Sequence, residues 1–144
     1  MKDLFIAVVV LFASVQSFAQ ERGLGVFSRN CMVCHQEKGE GMPGFAPKLA
    51  GTLVDRSKTE TGRRYLAQLV VSGMMGEIVS GGEKLNGVMP SFSALSDDDI
   101  VAVLDYVLGE LNGASNEVRV TAEEVIAARR QVMSPATVRR LRDR

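Results

Sequence analysis

The sequence predicts an all-α fold: one helical domain followed by a short helical extension. Three observations lead there. Apolar residues recur at helical spacing in two separate stretches, Tyr65, Leu66, Leu69, Val70 and Ile100, Val103, Leu104, Val107. Glycine- and proline-rich segments precede and separate them, and the first, from Gly39 to Gly51, excludes a regular helix or strand. Finally, one pentapeptide, Cys31-Met32-Val33-Cys34-His35, uses both cysteines and the sole histidine of the 144 residues.

C-x-x-C-H is the attachment signature of c-type haem. Cys31 and Cys34 are three positions apart, on neighbouring sides of one helical turn, so each thiol can add to one of the two vinyl groups of a haem. His35 then lies beneath the iron and can donate an imidazole nitrogen. With no third cysteine, a disulfide is possible only between these two. A redox dithiol would sit in a βαβ pattern, and none is visible. A structural zinc site usually takes four Cys or His ligands, and three exist. The motif therefore predicts one covalent haem c.

Residues 1–19 read as an export signal. Lys2 and the amino terminus are positive, Leu4 to Val15 is apolar except Ser14, and Ser17-Phe18-Ala19 suits cleavage before Gln20. The run is short for a membrane span, which takes roughly 20 residues; a retained anchor is the alternative. The mature chain is then expected in the periplasm, with no membrane span.

The whole chain has 17 basic and 17 acidic side chains, unevenly spread. Residues 20–118 are net −4 and residues 119–144 net +4. No basic patch with interleaved aromatics is present, so nucleic acid is not expected as a partner.

The elements follow in order. A first helix runs from about Glu21 into the haem motif, with Phe27 one turn before it in the core and Gly25 allowing close approach of another helix. The segment from Gly39 to Gly51 suits a chain wrapping a flat cofactor. Within it, the Pro47 carbonyl can accept a hydrogen bond from the second nitrogen of His35 and fix its tautomer, with Leu49 packing on the haem. Residues 63–74 form a helix, which Met74 and Met75 end. The irregular stretch from Gly76 to Leu95 is too long for a loop without a task; the task expected here is to bring a second ligand to the iron. Ser96 caps the next helix, and Asp97, Asp98 and Asp99 favour its positive end.

A single histidine forbids a bis-histidine haem within one chain, so one of the seven methionines becomes the obvious sixth ligand. The haem motif, Pro47-Lys48-Leu49, and Met89-Pro90-Ser91-Phe92 ahead of a helix together resemble a class I cytochrome c over roughly residues 21–112. The resemblance implies that Met89 is the distal iron ligand, with Met75 the alternative. It also implies that the helix from Ser96 crosses the first helix, bringing Tyr106 near Gly25 and Phe27.

Residues 20–112 thus form the expected haem domain, and 113–144 a linker and extension. In the extension, Thr121 and Glu124 form a capping box for a helix to about Val132. Ser134-Pro135 starts a short helix ending in arginines. Such extensions resemble those of small cytochromes that partner periplasmic dehydrogenases.

Filled axial positions imply outer-sphere electron transfer, and the sole histidine leaves no catalytic dyad. The expected role is an electron carrier, not itself an enzyme, between a dehydrogenase donor and an oxidase or reductase acceptor. The alternatives are a fixed haem subunit of an oxidoreductase and a ligand-binding haem protein whose Met89 dissociates.

Overall fold

A computed structural model of the chain describes Phe18 and residues 20–142. The expected export signal lies outside the described residues apart from Phe18, and so does Arg144 of the terminal arginines.

Residues 20–30 form α1 and run into α2 (Met32–His35) through a bend at Cys31. Gln36 ends α2 at φ 62°, a conformation rare for a residue with a side chain. α3 (Val54–Ser57) and α4 (Glu60–Ser72) follow. The Thr59 hydroxyl caps α4 by accepting from the Gly62 amide. Gly73, at φ 72°, stops the helix before the two methionines. Met74 and Met75 therefore begin a strand, where the sequence suggested the helix end.

The stretch after Gly73 is also more ordered than expected. β1 (Met74–Met75) pairs antiparallel with β4 (Val88–Met89), and β2 (Ile78–Ser80) with β3 (Glu83–Leu85). Gly81 and Gly82, at φ 60° and 82°, make the two-residue turn between β2 and β3. Positive φ at both positions matches the twist of a hairpin. The fold is mostly helical, with these two small ladders set on one side.

α5 (Asp97–Gly109) starts at Ser96, whose hydroxyl accepts from the Asp99 amide. It crosses α1, and Val26, Phe27, Val103 and Val107 are buried at the crossing. The Phe27 and Tyr106 rings lie 5.2 Å apart. The glycine of closest approach is Gly23, where a Cβ would stand 2.3 Å from the Ala102 carbonyl oxygen. A Cβ on Gly25, the position expected from sequence, would meet only the end of the Arg29 side chain. One helical turn places Gly23, not Gly25, on the face opposite α5.

After a 3-10 turn at Asn116–Val118, α6 (Ala122–Arg130) and α7 (Pro135–Arg142) complete the described residues. The Thr121–Glu124 capping box is present. Ala114, Val120, Val125, Ala128 and Val138 are buried in one cluster with Leu66, Val70, Ile100, Leu104 and Leu108. The extension thus shares a core with α4 and α5. Its apolar residues divide: Val125 is buried, while Ile126 and Val132 are exposed.

Candidate functional site

The bend between α1 and α2 puts both thiols, unpaired, beside one cavity. Its volume is about 400 Å³, within the roughly 300–1,000 Å³ of cofactor sites. Cys31, Cys34, His35, Pro47, Leu49 and Met89, the six residues singled out from sequence, all stand on its wall.

Local hydrogen bonds explain how the His35 side of the wall is held. The Gly41 amide donates to the His35 carbonyl, and the Leu49 amide to the Gly39 carbonyl. This folds the loop so that Pro47 faces His35, and Nδ1 of His35 lies 3.0 Å from the Pro47 carbonyl oxygen. A carbonyl only accepts, so Nδ1 carries the proton and Nε2 keeps its lone pair. Burial lowers the His35 pKa, against the opposing pull of the Pro47 bond. The imidazole is therefore neutral at pH 7 and able to ligate metal. Burial, with a smaller contribution from Cys34, pushes the Cys31 thiol up to about 11. A redox dithiol needs the opposite, a thiolate stabilised near neutral pH.

The wall that carries Met89 comes from the β1–β4 pair. The Ser91 hydroxyl donates to the Val71 carbonyl and the Phe92 amide to the Val70 carbonyl, which ties the Met89-Pro90 segment to α4. Gly73 makes room for it: a Cβ there would lie 2.5 Å from the Met89 carbonyl oxygen. Of the six described methionines, Met89 and Met74 line the cavity. Met75 is half exposed and outside the wall.

The wall chemistry tests what the cavity would accept. Its lining is dominated by apolar side chains, among them Leu66, Val70, Phe92 and Leu104. Described residues contribute no carboxylate to it, whereas Arg56, Arg142 and Lys48 are cationic. A flat apolar group carrying carboxylates, able to bond thiols, an imidazole and thioethers, fits this wall; haem is such a group. Arg56 and Arg142 are suited to its propionates, since guanidinium pairs carboxylate in a bidentate way. Arg56 stacks over the Tyr65 ring at 4.8 Å, and Arg142 donates to the Val79 carbonyl at 2.9 Å.

The sequence reading singles out neither these two arginines nor Met74 as residues of the site. Arg142 is more than one hundred positions from the haem motif, and no local pattern marks it.

A family model for cytochrome c matches residues 20–109. Two curated relatives are similar over most of the chain, both called cytochrome c-552 and both from Thermus thermophilus. One is 37% identical over 125 residues, covering 85% of this chain and 84% of that protein. The other is 37% identical over 122 residues, covering 83% of this chain and 92% of that protein.

Proposed function

The chain belongs to the cytochrome c family, and from that premise we propose a carrier of single electrons outside the cytoplasm, between a dehydrogenase and an oxidase or reductase. Members of this family hold haem c covalently and transfer electrons through it. When bound, the haem supplies the Fe(II)/Fe(III) couple.

In this reading Cys31 and Cys34 would hold the haem through thioethers, and Nε2 of His35 would ligate its iron. Pro47 orients His35, Leu49 would pack against the haem, and the Met89 sulfur would be the second iron ligand. A thioether is soft and favours reduced iron, so His/Met ligation implies a relatively high potential. With His35 and Met89 both holding the iron, no position would be left for an exogenous ligand, and the chemistry the haem would supply is outer-sphere electron transfer. The observation carrying this reading is the convergence of His35, bonded through Nδ1 to Pro47, with both thiols and Met89 on one apolar wall.

The segment 1–19 supports export, and among the described residues no helix is long and apolar enough to cross a membrane. Val33, Phe45, Val79 and Val88 line the cavity and are also exposed, forming an apolar rim at its mouth. Such a rim suits brief docking of redox proteins. It equally suits a permanent interface, the second reading, in which the chain is a fixed haem subunit; copurification with a larger oxidoreductase would favour that one.

Expression with a haem-maturation system, then haem staining of a denaturing gel, tests attachment. Wild-type protein should retain haem, and Cys31→Ala or Cys34→Ala should lower the yield. An unstained wild-type band would overturn the proposal.

A further inference from the structure

We propose that Met74 is a reserve iron ligand, placed to take the sixth position when the Met89 sulfur leaves it. The proposal rests on the reading of Met89 as the distal ligand. Met74 is paired directly with Met89 in the β1–β4 ladder. Directly opposed residues of an antiparallel pair project to the same face, with Cβ atoms about 4.5–5.5 Å apart. Both side chains lie on the cavity wall, while the neighbouring Met75 is half exposed. One wall of the site thus carries two thioethers side by side.

Leucine would fill the Met74 position as well if packing were the sole need. The Met74 sulfur, however, is engaged specifically: the Tyr65 hydroxyl donates to Sδ at 3.7 Å. That bond orients a lone pair within the wall and holds the sulfur back. Methionine has three rotatable bonds, so its sulfur can travel without moving its backbone far. β1 is also bounded by Gly73 and Gly76, at φ 72° and 106°, a conformation that side chains resist. The exchange balances simply. The Met89 sulfur leaves with its lone pair, the Met74 sulfur donates its own, and the Tyr65 hydroxyl gives up one hydrogen bond. No proton or electron moves.

The test uses the oxidised holoprotein at neutral pH, reading the far-red sulfur-to-iron band and the spin state. Met89→Ala is expected to stay low-spin and keep a sulfur band, shifted from wild type. Met89→Ala with Met74→Leu should lose it and become high-spin. Adding Tyr65→Phe to Met89→Ala should strengthen the band by freeing the sulfur. If Met89→Ala does not mature, Met89→Leu keeps the side-chain volume and serves instead. A band lost already in the Met89 single variant overturns the proposal and leaves the Met89 reading intact. A band lost in Met74→Leu alone overturns both, because Met74 is then the resident ligand. A band surviving the double variant also overturns the proposal.

Discussion

Nδ1 of His35 donates to the carbonyl of Pro47 across 3.0 Å, so the acceptor is backbone and the proline ring is not itself the partner. What places that carbonyl is the turn at Gly41, at φ 80°, where a Cβ would lie 2.7 Å from the Pro47 carbonyl carbon and 2.6 Å from the Lys48 amide nitrogen.

Pro47→Ala should therefore leave the reduction potential nearly unchanged. Gly41→Ala should displace the carbonyl and weaken its bond to His35. An acceptor on Nδ1 makes the imidazole more basic, which favours the oxidised iron. Loss of that bond should raise the potential. Redox titration of both variants checks this, and a larger shift in Pro47→Ala than in Gly41→Ala would refute it.

A second prediction compares two glycines on one helix. Gly23→Ala drives a methyl into the Ala102 carbonyl and the Tyr106 Cβ, and overpacking of this kind costs about 1–3 kcal/mol. Gly25→Ala meets only the mobile end of Arg29 and should gain up to about 1 kcal/mol of helix propensity. Opposite shifts in denaturation midpoint are expected.

These glycines show where sequence reading stops. The haem motif and the Ser96 and Thr121–Glu124 caps are contiguous, and their physics acts within one helical turn. All were legible. Which of Gly23 and Gly25 faces α5 depends on the rotation of α1 against a helix about eighty positions away. The β2–β3 ladder carries a local signal, the Gly81-Gly82 pair between two short runs, but the density of glycine hides it; the β1–β4 pairing joins distant strands and has none. The sequence reading runs the helix through both Met74 and Met75 and names Met75 as the alternative ligand, whereas Met74 lines the cavity. The helix end at Ser72 changes the side-chain period from 3.6 to 2 and exchanges their faces.

A pH effect is expected at the start of α5. The Arg22 guanidinium donates to Asp99 at 2.8 Å and, with the Ser96 cap, holds that carboxyl below its ordinary value. A depressed folded value means a stabilising contribution present above the ordinary carboxylate pKa and lost as pH falls through the depressed one. Arg22→Ala should raise the Asp99 pKa, leaving the smaller effect of Ser96. Carbon-detected NMR titration of the Asp99 carboxyl reads this directly; an unchanged value would discount the pairing of α1 with α5 through these residues.

The extension gives the last prediction. The net charge of +4 over residues 119–144, against −4 for residues 20–118, allows either a partner-docking tail or a brace on its own domain. The geometry favours a brace on the segment carrying Met89. Arg129 donates to the carbonyls of Ser93 and Leu95 and pairs with Asp97. Arg139 and Arg142 donate to the carbonyls of Glu77 and Val79. Val138 is fully buried beneath them. Val138→Ala should cost about 1–2 kcal/mol, from two lost methyl groups and a partly unfilled space. Val132→Ala, at a position 79% exposed, should cost almost nothing. The discriminating variant is Arg129→Ala. A brace predicts that the far-red sulfur band melts at lower temperature than in wild type, with electron-transfer rates at room temperature unchanged. Docking through the tail predicts an intact band and slower association, with the deficit shrinking at high salt as exposed charges are screened. Thermal melts followed in that band, beside stopped-flow rates at two ionic strengths, separate the two. A normal melt with a salt-sensitive rate loss would assign the tail to the partner.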